Sequence, residues 1–343
     1  MNSQDAAAGL QPLLATMPDP AGGTLGQSAR VSGLRLAPDG TASLVLAIDG
    51  LARADARRLV TQIEARLMAA PGIARVRIVE TADRAGAAEP DRPPLPGVTR
   101  VLAVASGKGG VGKSTVAVNL ALALARAGLR VGLLDADIHG PSVHILLGAA
   151  GRASADSDKR LIPPVAHGVQ VMGMGLLADP DRAVAWRGPM IAGAMVQMAE
   201  NSRWDARDIL VVDMPPGTGD IQISMAQKLA PSGVLLVTTP QRLALADCAR
   251  AAALFRQLGV PVLGAVANMA GLPGPDGSQL HPFGKVDRPA LEAALGTGLL
   301  ASLPLDPAVT AASDAGTPLA SGPVAATLDE VARHLADVMG LQP

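Results

Sequence analysis

The chain has 343 residues, 49% of them hydrophobic, enough for one large domain and a smaller one. With two Phe, two Trp and no Tyr, it has almost nothing from which to build a surface that stacks nucleobases on aromatic rings. A net charge of −1 without any long run of Lys or Arg argues against nucleic acid and membrane partners, and a single cysteine, Cys248, excludes an internal disulfide and a multi-cysteine zinc site.

Residues 1–20 lack the basic start and apolar run of a signal peptide. No stretch reaches the about 20 apolar residues of a membrane span. The best candidate, 116–134, is interrupted by Asn119, Arg126 and Arg130. The expected location is the cytoplasm. The segment before Gln27 reads as a helix followed by a flexible Gly22-Gly23 stretch. Asp39-Gly40 is a hairpin-turn signal. Leu44, Leu46 and Ile48 then alternate along a half-buried strand, and Leu59, Ile63 and Leu67 share one face of a helix. Alternation returns over 73–79, with Arg75 and Arg77 on one face and Val76 and Ile78 on the other. Residues 1–84 are therefore expected to form a small α+β domain.

Residues 85–97 hold Pro90, Pro93, Pro94 and Pro96 among Glu89, Asp91 and Arg92. Proline fixes extended geometry and the charges keep it solvated, so this stretch reads as a linker. Over 98–343 short apolar runs recur at 101–105, 131–134, 209–212, 234–237, 262–266 and 299–303, with helical stretches between most of them. Such runs fit strands covered on both faces. The expected fold is α/β, a doubly wound, mostly parallel sheet of roughly six or seven strands.

Gly107-Lys108-Gly109-Gly110-Val111-Gly112-Lys113-Ser114 matches the Walker A pattern, with an apolar strand before it and a helix starting at its end. Glycines let the backbone curl so that successive N–H groups face phosphate oxygens, and the helix N-terminus adds partial positive charge. Lys113 is placed to reach the β- and γ-phosphates of ATP, Ser114 to put its hydroxyl on Mg2+, and Thr115 to donate to a further phosphate oxygen. Asp135 and Asp137 stand at the carboxyl edge of the second strand, where sheet ligands bind. Charged residues there also serve as structural caps. His139 and His144 read as loop or helix-start residues rather than metal ligands. The run 209–212 ends in Asp213, the Walker B arrangement of an acid held near Mg2+ by a rigid strand. Pro215-Pro216-Gly217-Thr218-Gly219-Asp220 follows, a loop suited to sensing a γ-phosphate through a backbone amide.

These segments, with Trp186-Arg187-Gly188-Pro189-Met190, Asn268-Met269 and Pro304-Leu305-Asp306-Pro307, closely resemble the Mrp/ApbC branch of the deviant Walker A ATPases. That branch of the MinD/ParA-like superfamily comprises scaffold or carrier proteins for iron–sulfur clusters. The resemblance runs through most of 101–335. The residues before the linker are similar to the small domain that often precedes the ATPase there. It implies a slow, homodimeric ATPase using ATP and Mg2+, with apoprotein acceptors or iron–sulfur assembly proteins as partners. Lys108 would reach across the dimer to the partner's nucleotide, and Asp137 would orient the attacking water. Ser114, Asp135 and Asp213 would serve Mg2+ directly or through water. Asn268 would read the adenine edge, with Gln241 near the base. Lys108 as a solvated loop lysine and Asn268 as a strand-end turn residue remain the plain alternatives.

One departure stands out. The resemblance leads to the expectation of a [4Fe-4S] cluster held by a Cys-Pro-x-Cys shortly after the Asn-Met pair, yet Gly274 and Gly277 stand at those positions. A bridging [4Fe–4S] site normally takes four thiolates, and one cysteine per chain gives a dimer two. Cys248 lies in a helical pattern over 243–258 and reads as a buried small hydrophobe. Open explanations are ligands from a partner, non-cysteine ligands, another cargo, or a role in assembly without holding the cluster. A positioning ATPase of the MinD/ParA kind and an ATP-clamped adaptor are the competing functions. The acidic balance over 325–339, with Asp329, Glu330 and Asp337 against Arg333, disfavours a basic membrane-binding helix.

Overall fold

The computed structural model describes residues 10–81 except 21, 29, 38, 49, 50 and 52, residues 95–177 except 139, and residues 188–342 except 275 and 277. The chain divides into two units, Met1–Ala88 and Glu89–Pro343.

In the smaller unit two short helices, α1 (Gln11–Ala15) and α2 (Leu25–Ser28), precede a three-stranded sheet. Strands β1 (Val31–Leu36) and β2 (Thr41–Ala47) form an antiparallel hairpin that turns at Gly40, whose φ is +80°. Helix α3 (Arg53–Met68) then returns the chain to β3 (Arg75–Thr81), which pairs parallel to β2. Ala42, Leu44 and Leu46 on one face of β2 pack with Leu59, Ile63 and Leu67, all at most 2% exposed. Truncating any of these leucines to alanine should cost about 2–5 kcal/mol. The Gly22-Gly23 stretch, expected to be flexible, is a defined turn. Asp19 N–H donates to the Gly23 carbonyl, and Gly22 N–H donates to the Asp19 carbonyl.

The larger unit is built on an eight-stranded sheet in the order β15-β12-β11-β4-β10-β5-β9-β8. Its members are β4 (Val98–Ala105), β5 (Val131–Asp135), β8 (Val165–Ala166), β9 (Val169–Gly173), β10 (Arg207–Asp213), β11 (Gly233–Thr238), β12 (Val262–Ala267) and β15 (Leu299–Ser302). All neighbours run parallel except β8 against β9. Two short hairpins, β6 (Ser154–Ala155) with β7 (Leu161–Ile162) and β13 (Leu272–Pro273) with β14 (Gln279–Leu280), lie outside the sheet.

The six expected runs all lie in this sheet. The β8–β9 edge was not expected, for a visible reason. Gln170 interrupts the apolar run of β9, and its buried amide is satisfied by Asp205, donating to Oδ2 and accepting from the backbone N–H. Side chains alternate between two cores. Leu102, Val104, Leu133 and Val211 line the core shared with α4 (Lys113–Arg126), α5 (Val143–Leu146), α10 (Pro307–Asp314) and α11 (Pro323–Val338). Ala103, Leu134, Leu210 and Val212 face α6 (Gly188–Asn201), α7 (Asp220–Leu229), α8 (Arg242–Gln257) and α9 (Arg288–Leu295). Residues 85–94 of the expected linker lie outside the described set, whereas Leu95 is buried in the second core.

Candidate nucleotide site

The carboxyl ends of β4, β10 and β5, neighbours at the middle of the sheet, carry the loop over 106–112, Asp213 and Asp135. The loop must pass close to α8. A Cβ on Gly107 would overlap the backbone of Asp247 and Cys248, so only glycine fits. Gly110 and Gly112 then take φ of +80° and +82°, a left-handed bend that turns the chain into α4 at Lys113. Nothing lies within 4 Å of a Cβ built at Gly109 or Gly110, so the outer rim of the loop is open to a ligand.

Lys113 is buried, and its Nζ lies 2.5 Å from Asp213 Oδ1 and 3.5 Å from Ser114 Oγ. Asp213 is fully buried, and its Oδ2 has no hydrogen-bond partner among the described residues. Burial pushes its carboxyl above the usual range and Asp137 adds to the push, while Lys113 and Ser114 pull the other way.

Asp135 is 3% exposed and organises the loop that follows it. Its Oδ1 accepts from Asp137 N–H at 3.1 Å, and its Oδ2 accepts from Ser142 and Val143 N–H at 2.9 and 3.0 Å. Burial, with the Asp213 charge behind it, raises the Asp135 carboxyl to about 7 against the pull of these three N–H groups. Asp137 is half-buried at the same edge. Three carboxylates thus gather at one sheet edge, and Asp213 among them is paired with the buried ammonium.

The residues present fit a divalent cation. Magnesium is usually held by one or two carboxylates together with substrate phosphates and water. An unpartnered Asp213 oxygen beside the Ser114 hydroxyl meets that need, although among the described residues no group of three or more His, Cys, Asp or Glu forms a metal cage. His139 lies outside the described residues. The His144 ring fills the space a side chain at Gly175 would take, and burial lowers its pKa.

Sequence reasoning overlooked what holds the loop after Asp213. The buried Gln222 Nε2 donates to the Pro215 carbonyl at 2.6 Å, and Gly217 N–H donates to the Ser106 carbonyl at 3.1 Å. The signal was a glutamine one turn into α7, visible only once the loop is known to fold back over the helix start. Trp186 and Arg187 lie outside the described residues, and Gly188-Pro189-Met190 opens α6.

Beside the loop is a cavity of about 140 Å³, lined by Gly112, Thr115, Asn119, Asn268, Met269 and Pro304 among others. Asn268 Nδ2 donates to the Val111 carbonyl at 2.9 Å, tying the end of β12 to the phosphate loop. Gln241 is not among the lining residues; it stands at the N-cap position of α8 without a side-chain cap bond, its Oε1 3.4 Å from Lys108 Nζ. Lys108 is half-exposed, and its carbonyl accepts from Ser106 Oγ at 2.9 Å.

The stretch in place of the expected cysteine pair is the tip of the β13–β14 hairpin. Gly274 N–H donates to the Ser278 carbonyl at 2.7 Å, and Asp276 Oδ1 accepts from Ser278 N–H at 3.0 Å. A Cβ at Gly274 would sit 2.5 Å from Ser278 Oγ. Gly277 lies outside the described residues. Cys248 is fully buried in α8, and burial lifts its thiol to about 12. The residues present do not fit a [4Fe-4S] cluster bound by this chain's own thiolates.

A parallel sheet with a glycine-rich phosphate loop at its centre, a lysine early in that loop and an acid ending the neighbouring strand define a P-loop nucleoside triphosphatase. Comparison with known proteins narrows the class. The ParA family, described as the NUBPL iron-transfer P-loop NTPases, matches residues 97–339. The chain belongs to this family. It is 47% identical over 247 residues to an iron-sulfur cluster carrier protein of Pseudomonas fragi, covering 70% of this chain and 86% of that one. It is 46% identical over 258 residues to one of Deinococcus radiodurans, covering 75% and 72%. Among solved structures it is similar to a nucleotide-binding protein of Archaeoglobus fulgidus in complex with ADP, at TM-score 0.59 and 33% identity over 67% of this chain and 92% of that one. A MinD cell division ATPase of Pyrococcus furiosus shares the fold, at TM-score 0.55 and 24% identity over 70% of this chain and 99% of that one.

Proposed function

We propose that this chain binds and slowly hydrolyses Mg-ATP between two copies of itself, and that the cycle serves the assembly or transfer of iron–sulfur clusters to apoproteins. One observation carries the nucleotide reading: a phosphate loop whose lysine is clamped at 2.5 Å to a strand-end aspartate with one unpartnered buried oxygen. Backbone N–H groups of residues 107–115 bind the phosphates, Lys113 moves onto the β- and γ-phosphates, and Ser114 and Asp213 hold Mg2+. The ion, when bound, neutralises charge on the phosphates. Asp137 orients the attacking water, and Asp135 keeps Asp137 in place through the backbone N–H bond already formed. Lys108 approaches the partner's nucleotide and stabilises charge that develops in the transition state. Asn268 and its cavity receive the adenine, and Gln241 positions Lys108.

Membership of the iron-transfer family and the carrier relatives support the cargo. The buried Cys248 and the lack of a cysteine pair support, for this chain, a part in assembly for which another protein supplies the thiolates. Residues 1–84 fit a small domain of the assembly type, connected to the ATPase through residues 85–94. The apolar face of α11 is already consumed, since Leu328, Val331 and Leu335 are buried in the first core. That disfavours a positioning role through a membrane-binding terminal helix.

The test is direct. Calorimetry should detect Mg-ATP binding that is lost in Lys113→Ala. Turnover should be abolished by Asp137→Ala with binding retained. ATP-dependent delivery of a cluster to an apoprotein by assembly proteins should require the chain. Well-folded protein that binds no Mg-ATP would overturn the whole reading, and ATPase activity without effect on delivery would overturn the cargo alone.

A further inference from the structure

The sheet of the smaller unit has two faces of opposite character. One packs on α3, and the other carries Thr41, Ser43 and Val45 of β2 with Arg35, Arg75 and Arg77 of the flanking strands. Register places Arg35 and Arg77 on either side of Ser43, and Arg75 beside Thr41. At the usual strand spacing of about 4.8 Å, three guanidinium groups share a patch roughly 10 Å across, with two hydroxyl side chains at its centre. All three arginines are exposed, and none forms an ion pair among the described residues. Asp39, at the hairpin turn, is an acid near them; its Oδ1 accepts from Thr41 N–H at 2.9 Å, and that bond, with the Arg75 charge adding to it, lowers its carboxyl pKa.

The placement of Arg35 is specified by a bulge. Pairing runs Ser32↔Val45 and then Arg35↔Ser43, so β1 spends one extra residue, with Gly33 at φ +61°. Without it Leu34 would stand opposite Ser43 on the outer face, and Arg35 would turn inward against the core. Like charges gathered on one sheet face weaken it. A local device that gathers them points outward, to a binding partner.

We propose that this face docks an acidic protein segment, its carboxylates paired with Arg35, Arg75 and Arg77 and its backbone or side-chain acceptors with Ser43 and Thr41. Arginine forks match carboxylates two bonds at a time. A nucleic acid or an anionic membrane would suit the charge but not the size. Those ligands draw on wider basic surfaces, on the order of four to ten cationic residues, and the patch offers three, with no aromatic ring for bases to stack on. The proposal is independent of the nucleotide site.

The probe is a fluorescein-labelled oligoglutamate peptide, titrated with the full-length chain while its anisotropy is followed. The peptide should bind, and the Arg35→Gln/Arg75→Gln/Arg77→Gln variant should bind about tenfold more weakly. The variant should keep its circular dichroism and its Mg-ATP affinity. A control, Arg57→Gln/Arg58→Gln/Arg66→Gln, removes the same charge from α3 and should bind as the parent does. An equal loss in the control, or unchanged binding in the first variant, would overturn the assignment. So would tighter binding of duplex DNA or phosphatidylserine vesicles that depends on the same three arginines.

Discussion

At the residue scale the site is governed by one buried charge pair. Removing a single member of such a pair leaves an uncompensated charge, at a cost of about 3–5 kcal/mol. Lys113→Ala should therefore lower the unfolding free energy by that amount without nucleotide, and Lys113→Ala/Asp213→Asn should recover most of it. Urea denaturation of the two variants checks this, and equal stability of the single mutant and the parent would refute it. Cys248 gives a second prediction. Its thiol is raised from 9.0 to about 12 by burial, so the folded chain keeps the neutral form that the unfolded chain loses above pH 9. The sign follows: this contribution is present below pH 9 and falls away as pH rises from 9 toward 12. A Cys248→Ala variant should show a shallower loss of stability over that window. A thiol reagent at neutral pH should label the native chain negligibly and label it once denatured. Motif spacing made the phosphate loop, Asp135, Asp137 and Asp213 legible in the sequence. Gln222 and the partners of Asn268 were not legible, because they act on backbone carbonyls that only the fold brings near.

At the scale of elements, the six apolar runs predicted the sheet because a strand covered on both faces leaves a continuous hydrophobic signature. β9 escaped because Gln170, satisfied by a distant aspartate, breaks that signature. The Asp39-Gly40 turn and the 59, 63, 67 spacing foretold β2 and α3, whereas the bulge in β1 left only a glycine as a clue. The β13–β14 hairpin shows what a local exchange of residues does. Its tip is closed by Asp276 and Ser278 around a glycine that leaves little room for a side chain. The wild-type chain reconstituted with iron and sulfide should retain no cluster. A Gly274→Cys/Gly277→Cys variant, with Ser278→Gly to relieve the contact, should gain iron and visible charge-transfer absorption. Iron counting and spectroscopy check both outcomes, and a cluster on the wild type would refute the first.

At the scale of the whole molecule, the proposed function has two copies meeting over their nucleotides. If Lys108 acts in trans, Lys108→Ala should leave ATP affinity within a few fold and lower turnover by about a hundredfold or more. Mixing inactive Lys108→Ala with inactive Lys113→Ala should restore part of the activity. In the mixed dimer the Lys113→Ala copy lends its Lys108 to the intact loop of the other. Mixtures that stay inactive, with light scattering showing dimers, would place Lys108 in its own site. No described helix is long and apolar enough to cross a membrane.

The clamp between Lys113 and Asp213 bears on which small anions the loop admits. A stray sulfate or orthophosphate brings a modest charge against a carboxylate already seated within the chain, and offers that carboxylate nothing in return. A triphosphate tail would bring several charges, and Asp213, released from Lys113, would hold the doubly charged ion that accompanies it. In the proposed cycle, selection among the many oxyanions of a cell begins with this exchange of partners, before any base is recognised.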